Sequence, residues 1–325
     1  MIDTIKGYRD LKSKHYHNIS KLIDKASISI HEKGYNAILN VSNFKITIKV
    51  NSENIPYRMY FNGSLSKYYF GNNLSHLNMK TLKKAVDMFS DDIGMNMKKA
   101  NLTRVDYGYS FKLKHPVHKY LSCLNSYPRF DTNRYKDSIY FFTKYASKTL
   151  IFYDKLKEMK SSDKNHFINL PVEYHNKRIM RYEIRFKTNL RRRFNVNKFK
   201  VSTLFRKSII NEIHTRWEKS YKKINKIEIG IDPIHLIYEY NGLYKYLAYH
   251  GVEKVGYQRI SNTIAELNFD LKNSVAKRSK LKHTVNELLK EAHKNTLDKY
   301  LIDELDDKII NFKQNERQKD TSKNI

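Results

Sequence analysis

The chain has 325 residues, enough for one large domain or two smaller ones, and 62 lysines and arginines against 33 acidic residues give it a formal net charge of +29. This charge predicts a nucleic-acid partner rather than a membrane surface, and the sequence has neither an apolar run near the roughly 20 residues that span a bilayer nor the apolar core of a signal peptide. Its single cysteine, Cys123, excludes a disulfide framework and a thiolate metal cluster, so we expect a soluble cytoplasmic protein.

The first clear elements lie in the first hundred residues. In "NFKITIKVN" (43–51), apolar side chains alternate with lysine and threonine, which predicts a half-buried strand. The next stretch, "YRMYFNGSLSKYYFG" (57–71), predicts two aromatic strands joined by a hairpin at Asn62-Gly63. In "NMKTLKKAVDMFSDDIG" (78–94), the apolar spacing predicts a helix that ends at its last glycine.

Three later strands carry charged side chains on the face opposite their aromatic residues. The first is "LTRVDYGYSFKL" (102–113) and the third is "IMRYEIRFKTNL" (179–190). The second lies near 149–154 and forms a predicted hairpin with a strand near 138–142. The alternation directs the charged residues outward. The residues on these outward faces are Arg104, Asp106, Tyr153, Lys155, Arg181, Glu183, Arg185 and Lys187.

Beyond residue 198 the pattern becomes helical and stays basic. A large apolar residue recurs every four positions from Phe205 to Tyr221, and further helices are predicted near 242–250, 255–267 and 272–304. The apolar stripe consists of Phe205, Ile209, Ile213, Trp217 and Tyr221. Its simplest interpretation is core packing.

Three regions follow from these patterns. Residues 1–198 form an α+β domain with a mostly antiparallel sheet, and residues 199–312 form a basic, mainly helical domain. The polar tail over 313–325 is predicted to be disordered.

The outward-facing residues suit one reaction, the transfer of a DNA phosphodiester to a tyrosine. Taken singly, each is more often a solvated or paired charge than a catalytic one. A tyrosine hydroxyl, with a pKa near 10, needs one cation to stabilise its phenolate and another to hold the phosphate oxygens. Carboxylates such as Asp106 and Glu183 are hard oxygen ligands suited to Mg²⁺ or Mn²⁺, which would polarise the scissile phosphate.

The order of four motifs resembles the replication initiators of the filamentous-phage gene II family. "MID", "LTRVDYGYSF", "TLIFYDKLKEM" and "RYEIRFKTNL" follow one another as in that family, whose pattern is an R-[IV]-D strand, a T-L-φ-x-Y-x-K-x-x-E strand and an R-[FY]-E-x-R strand followed by K-T. "YFNGSLSKYYFG" lies where the family has an aromatic hairpin. The resemblance covers roughly residues 1–200, and the same order is seen more distantly in the Rep_trans class of plasmid initiators.

The resemblance implies a Rep nickase-like fold, with helices on one face of the sheet, and a role for each matched residue. The matched catalytic candidates are Tyr153 and Lys155, and the metal-ligand candidates for Mg²⁺ or Mn²⁺ are Asp106, Glu183 and Glu158. Tyr140, where the family pattern has no tyrosine, is a further catalytic candidate. The matched DNA-binding candidates are Arg104, Arg181, Arg185 and Lys187. The basic run Arg191, Arg192 and Arg193 lies outside the matched motifs and is a further DNA-binding candidate because of its charge.

The nucleophile is left open between two tyrosines. Tyr153 matches the family position, whereas Tyr140 begins "YFFTK", which has the tyrosine-to-lysine spacing of histidine-type nickases. Tyr145, in the predicted turn, is a third tyrosine in this hairpin. "HYH" at 15–17 imitates a two-histidine metal motif, but its position predicts a surface pair at a helix start, and "HPVH" at 115–118 predicts a loop.

The resemblance implies a rolling-circle initiator in the cytoplasm of a bacterial host. Such a protein would nick one strand of supercoiled double-stranded origin DNA, leave a 3′-hydroxyl for the host polymerase, and later cut and rejoin the displaced single strand. A host helicase is an expected partner, and the oligomeric state is left open. The alternatives are a non-catalytic origin-binding protein and a plasmid mobilisation relaxase.

Overall fold

A computed structural model of the chain describes residues 1–143, 147–162, 174, 177–226, 234–238, 240–267, 274–292 and 297–312. The chain divides into two compact units, unit 1 being Met1–Lys114 with Arg129–Lys223 and unit 2 being His115–Pro128 with Ile224–Ile325. The domain boundary predicted at residue 198 lies inside unit 1. The tail predicted to be disordered lies outside the described residues.

Unit 1 is built on a ten-stranded antiparallel sheet, which confirms the predicted α+β class. The strands of the described residues are β1 (Ile2–Asp10), β2 (Ser27–His31), β3 (Gly34–Val41), β4 (Phe44–Val50), β5 (Pro56–Ser64), β6 (Asn101–Lys112), β7 (Leu124–Ser126), β8 (Asp131–Tyr135), β9 (Ser138–Phe142), β10 (Lys148–Asp154), β11 (Ile179–Lys187) and β12 (Asn225–Lys226). The sheet order is β2-β3-β4-β5-β1-β6-β11-β10-β9-β8. The first strand in sequence therefore lies at the centre of the sheet.

Both units also contain helices. They are α1 (Tyr16–Ile23), α2 (Leu65–Phe70), α3 (Met79–Ile93), α4 (Val117–Cys123), α5 (Lys155–Ser162), α6 (Leu190–Arg193), α7 (Lys207–Lys222), α8 (Gly242–Val255), α9 (Tyr257–Glu266), α10 (Ser274–Ala292) and α11 (Leu297–Ile310). Short 3-10 helices span Ser13–His15, Met97–Lys99, Val201–Phe205 and Ile234–Tyr238. Among the described residues, no helix is both long enough and apolar enough to cross a membrane.

Helices α3 and α7 cover one face of the sheet. The Phe89 ring of α3 stacks on Phe44 of β4, with centroids 4.1 Å apart. Trp217 of α7 is fully buried and stacks on Tyr182 of β11 at 4.8 Å. The apolar stripe predicted from Phe205 to Tyr221 is therefore core packing from Ile209 onward, because aromatic pairs of this kind fill the layer between helix and sheet. Phe205 lies before α7, in a 3-10 helix, and is only partly buried.

The predicted hairpin at Asn62-Gly63 is wrong. Strand β5 runs straight through both residues, and Ser64 ends it by accepting a hydrogen bond from the Lys67 amide as the N-cap of α2. A Cβ on Gly63 would lie 2.6 Å from the Phe44 ring. The glycine therefore permits close packing within the strand and does not mark a turn.

Both histidine motifs lie at helix starts. His15 precedes α1 as predicted, but its side chain is buried, not on the surface, and its Nδ1 accepts a hydrogen bond from the Lys12 amide. Burial, followed by the charges of Arg9 and neighbouring lysines, lowers the pKa of His15. In "HPVH", α4 begins at Val117, so the loop prediction holds only for the first two residues.

Unit 2 is mainly helical, as predicted for the carboxyl-terminal part. Helix α11 packs against α4, where the Tyr120 hydroxyl donates to Glu304 Oε2. A second small core contains Leu236, Tyr249 and Ala292. The helix predicted over 272–304 corresponds to α10 and α11, and residues 293–296 between them lie outside the described residues.

Candidate active site

The candidate site lies on the face of the sheet opposite α3 and α7, here called the open face. In the register of the central strands, Arg185 of β11 lies opposite Asp106 of β6, and Glu183 lies opposite Gly108. Tyr153 of β10 lies opposite Arg181. Because side chains alternate between the faces of a strand, the charged residues of three strands meet on this one face.

Arg181 is the centre of the site. Its Nε donates to Glu183 Oε1 at 2.5 Å, its Nη2 lies 2.9 Å from Asp3 Oδ2, and its Nη1 donates to the Asn73 carbonyl at 2.7 Å. Burial alone would lower the pKa of this guanidinium, but the carboxylates of Asp3 and Glu183 outweigh it and raise the pKa. The prediction that Arg181 and Glu183 look outward is wrong, since both are buried. A buried charge persists in this way only when it is paired.

Asp106 forms a second paired group beside the first. Its carboxylate receives hydrogen bonds from Arg104 and, at 3.0 Å, from Arg185 Nε. It is 1% exposed and not outward-facing as predicted. Burial raises the pKa of Asp106, and the two arginines oppose that shift without cancelling it.

The Tyr153 hydroxyl donates a hydrogen bond to Glu183 Oε1 over 2.8 Å. Burial, together with the negative charge of Glu183, raises the pKa of Tyr153 well above its usual value, although Arg181 opposes the shift. A Cβ on Gly108 would lie 2.6 Å from Glu183 Cγ, so glycine provides the space that Glu183 occupies. Tyr153 is thus a protonated phenol that already contacts a proton acceptor.

Lys155 departs from the predicted strand geometry. Asp154 accepts a hydrogen bond from the Lys157 amide, and α5 begins at Lys155 directly after the strand. Lys155 is fully buried, its Nζ contacts Glu158 Oε2, and it lies 5.7 Å from the Tyr153 ring centroid. Burial lowers the pKa of Lys155, and Glu158 opposes this. Lys155 is therefore a buried residue at the start of α5, near the Tyr153 ring, and does not share a strand face with Tyr153.

A cavity of about 450 Å³ opens next to Tyr153. Tyr153 and Tyr140 both line it, together with Glu183, Glu158 and Arg185. Both candidate tyrosines are partly exposed. Tyr145 lies outside the described residues. Asp137, Asp154 and Lys157 line the same cavity. The structure thus places two phenol hydroxyls, four carboxylates and two cations around one space of a size suited to a nucleotide.

The remaining DNA-binding candidates lie at two places. Lys187 lines a neighbouring pocket with Arg185 and Tyr140. Arg191, Arg192 and Arg193 form most of the short helix α6, where the Arg193 guanidinium packs over the Phe186 ring at 5.5 Å. None of these three arginines lines either of these pockets.

The carboxylates proposed as metal ligands do not form a metal centre in this arrangement. Among the described residues, no three histidine, cysteine, aspartate or glutamate side chains group closely enough to hold an ion. Asp106, Glu183 and Glu158 are each bound by an arginine or lysine. The donor set therefore does not fit a divalent cation unless these cations are displaced, and no reaction step is assigned to a metal here.

Sequence reasoning gave no role to two residues of the site, although one of them, Asp3, belongs to the motif "MID". Asp3, at a register shift between β1 and β6, supplies the second carboxylate on Arg181 and accepts a hydrogen bond from Ser64. Gly108 provides the space for Glu183. The signals available were a lone aspartate at the start of an apolar segment and a glycine within an otherwise aromatic strand.

With this geometry described, comparison with known proteins assigns the chain to a class of replication-associated proteins. Residues 1–214 match the family Phage_CRI, which is described as the N-terminal part of a replication-associated protein of the gene II type. This match covers more than half of the sequence, and the chain belongs to that family of replication initiators, which confirms the predicted resemblance. Membership indicates a rolling-circle replication initiator.

One similar solved structure is entitled "Structure of Rolling Circle Replication Initiator Protein from Geobacillus stearothermophilus". The two chains are 8% identical, the alignment covers 69% of this chain and 84% of that one, and the TM-score is 0.34. A similarity of this size does not establish a common arrangement of site residues. No curated protein gave a significant match.

Proposed function

We propose that this initiator is a site-specific, single-strand DNA endonuclease and strand transferase that uses Tyr153 as its nucleophile. The observation that carries the proposal is the 2.8 Å hydrogen bond from the Tyr153 hydroxyl to Glu183 at the wall of a cavity also lined by Arg185. Glu183 is placed to accept the proton that the attacking hydroxyl must lose. General bases of this kind typically contribute about 10²–10⁴-fold to a rate.

In the proposed reaction, the Tyr153 oxygen forms a bond to phosphorus while the bond from phosphorus to the 3′ oxygen breaks. The tyrosine proton moves to Glu183, and the departing 3′ oxygen takes up a proton from water to give a free 3′-hydroxyl. The 5′ phosphate stays on the tyrosine. Attack by a later 3′-hydroxyl reverses these steps and rejoins a strand.

The surrounding cations have separate roles in this proposal. Arg181 holds Glu183 in position through the Nε contact at 2.5 Å and is therefore a positioning residue. Arg185, held by Asp106, lines the cavity and is placed to bind the non-bridging oxygens as their charge grows. Lys155 lies close enough to the Tyr153 ring to favour its phenolate.

The wider functional context is part of the same proposal. The substrate is supercoiled double-stranded origin DNA in a bacterial cytoplasm, the displaced single strand is the second substrate, and host helicase and polymerase act next. Dependence on Mg²⁺ or Mn²⁺ stays a prediction. It requires that a divalent ion displace the cations bound to Asp106, Glu183 and Glu158.

The test is a nicking assay on supercoiled DNA of the native replicon with Mg²⁺, Mn²⁺ or a chelator. Wild type should give open circles and a covalent adduct of protein and DNA, and Tyr153→Phe should give neither. Tyr140→Phe tests whether Tyr140 is the nucleophile instead. The matched control is Tyr135→Phe, because Tyr135 is exposed and its ring centroid lies 5.7 Å from that of Tyr140. Tight origin binding without nicking by the wild type would overturn the enzyme in favour of an origin-binding protein.

A further inference from the structure

A row of polar side chains crosses the open face beside the candidate active site. Lys45 of β4 lies opposite Asn62 of β5, which lies opposite Lys6 of β1. Lys6 lies opposite Arg104 of β6, which lies opposite Lys187 of β11. We call these five residues the basic row. With adjacent strands about 4.8 Å apart, the row spans roughly 19 Å and ends next to Arg185 and Asp106.

The basic row is exposed at its far end, where Lys6 and Lys45 are its charged members, whereas Arg104 is paired with Asp106. Lys6, Lys45 and Asn62 are exposed, whereas Arg104 and Lys187 are partly buried. Burial and the charges of Arg185, Arg104 and Lys6 lower the pKa of Lys187. An array of cations with this spacing attracts a chain of phosphates.

A pair of aromatic rings lies next to the basic row on the same face. Tyr8 and Tyr60 are opposite one another, with ring centroids 6.1 Å apart. The Arg58 guanidinium lies 4.5 Å from the Tyr8 centroid, and Lys49 Nζ lies 5.7 Å from that of Tyr60. Both rings are partly exposed. Rings flanked by cations are the combination on which proteins stack the bases of single strands.

We propose that the basic row and the Tyr8–Tyr60 pair bind single-stranded DNA that enters or leaves the cavity at Tyr153. The phosphates contact the row, and a base stacks on the tyrosine pair. A duplex fits less well, because its base faces are covered by stacking and cannot reach the rings. The inference rests on the proposed function, since the bound strand is the one that is cut or displaced.

The test is the affinity for a labelled oligothymidylate of about 20 nucleotides, measured by fluorescence anisotropy over a range of salt concentrations. Lys6→Ala/Lys45→Ala removes two exposed charges from the row. The control Lys83→Ala/Lys84→Ala removes two exposed charges from α3, on the covered side of the sheet. Loss of two phosphate contacts should weaken binding about tenfold or more and reduce the salt slope by about 1.4, while the control pair changes neither.

A second variant tests stacking separately. Tyr8→Leu/Tyr60→Leu should weaken binding at least about fivefold without changing the salt slope, since stacking is not an ionic contact. Equal effects of the two lysine pairs, or equally strong competition by a duplex of the same length, would overturn the inference.

The two proposals can fail separately. Tyr153→Phe should bind the oligonucleotide like wild type, because binding requires no chemistry. If wild type nicks DNA but the basic-row variants bind normally, this inference fails and the proposed function stands. If binding depends on the row but wild type never nicks, the proposed function fails and single-strand binding by this face stands.

Discussion

The open face of the sheet has two halves that differ in how their charges are neutralised. In the half formed by β6, β10 and β11, the charges of Asp106, Arg181 and Glu183 are buried and paired, with Asp3 of β1 contributing one carboxylate. Arg181 lies between Asp3 and Glu183, and the three side chains are 2%, 5% and 7% exposed. Their pairing is obligatory, because an isolated charge at such depth costs several kcal/mol.

In the half formed by β1, β4 and β5, the charges face solvent. Lys6 and Lys45 are exposed, and even the ion pair between Arg58 and Asp10 has side chains that are 37% and 56% exposed. Here the positive charge is available to a ligand. The comparison teaches that the proposed catalytic residues are held by mutual ion pairs, whereas the residues proposed to bind a strand carry charges that face solvent.

The largest expected effect comes from Glu183→Gln. The amide cannot accept the tyrosine proton, so nicking should fall by about 10²–10⁴-fold, while affinity for the oligothymidylate stays close to that of wild type. The double variant Lys6→Ala/Lys45→Ala should weaken binding of the oligothymidylate while the nicking rate at saturating protein stays close to that of wild type. The rate of nicking at saturating protein and the affinity for the oligonucleotide measure the two halves independently. If Glu183→Gln weakens binding as strongly as it slows nicking, the division between the halves is lost.

Loss of the buried ion pairs of Arg181 should lower the free energy of unfolding more than loss of the exposed pair between Arg58 and Asp10. Arg181→Met leaves Asp3 and Glu183 buried without their shared cation, and we expect the free energy of unfolding to fall by about 3–5 kcal/mol. Arg58→Met removes an exposed pair and should cost less than about 1 kcal/mol. Urea unfolding of both variants measures this difference, and equal losses would contradict the assignment of the two halves.

Gly108→Ala should disturb the geometry of the half formed by β6, β10 and β11, which carries the proposed catalytic residues. The added methyl group would lie 2.6 Å from both Glu183 Cγ and the Tyr182 carbonyl oxygen, so β11 would have to shift and carry the carboxylate away from Tyr153. A displacement of this kind typically costs about 10²-fold in rate, so nicking should slow while single-strand affinity is kept. Gly251→Ala, at a helical glycine with nothing within 4 Å of the added carbon, is the control. Full activity of Gly108→Ala would contradict the proposed role of Glu183, because nicking would then not depend on the position of its carboxylate.

The smallest effect concerns Lys148, on the side of the sheet that packs against α7. Burial and the charges of Arg193, Lys223 and Arg216 lower the pKa of Lys148 to about 8. Between pH 8 and the unfolded pKa near 10.4, the unfolded chain binds more protons, so stability should rise with pH over that range. Lys148→Met should therefore raise the melting temperature at pH 7 and lose this advantage by pH 10. A stabilisation equal at both pH values would show that packing, and not charge, is responsible.

The strands that the sequence predicted best are those with uninterrupted alternation. The pattern in β4, β6, β10 and β11 identified which residues share a face, because a strand has only two faces. Alternation does not say how deep a face lies. Arg181 and Asp106 were therefore expected outside, and their burial follows from partners contributed by other strands.

Long-range pairing also explains what was missed. Asp3 belongs to β1, which has no clean alternation and takes its place between β5 and β6 only through tertiary structure. The pair Asn62-Gly63 is a common turn sequence, but here Gly63 lies within β5 and packs against the Phe44 ring. Local sequence cannot reveal either contact, since the partners lie about 20 to 180 residues away in the chain.

The central position of β1 has a consequence for synthesis. β1 is complete at Asp10, but its second neighbour, β6, begins at Asn101, so at about 5–20 residues per second the strand waits roughly 5–20 s for that partner. During this time its unpaired edge is open to other chains. β5 ends at Ser64, roughly 120 residues before Glu183 is added. The ribosome therefore completes β1, β4 and β5, which carry most of the residues proposed to bind DNA, well before it adds the proposed catalytic residues.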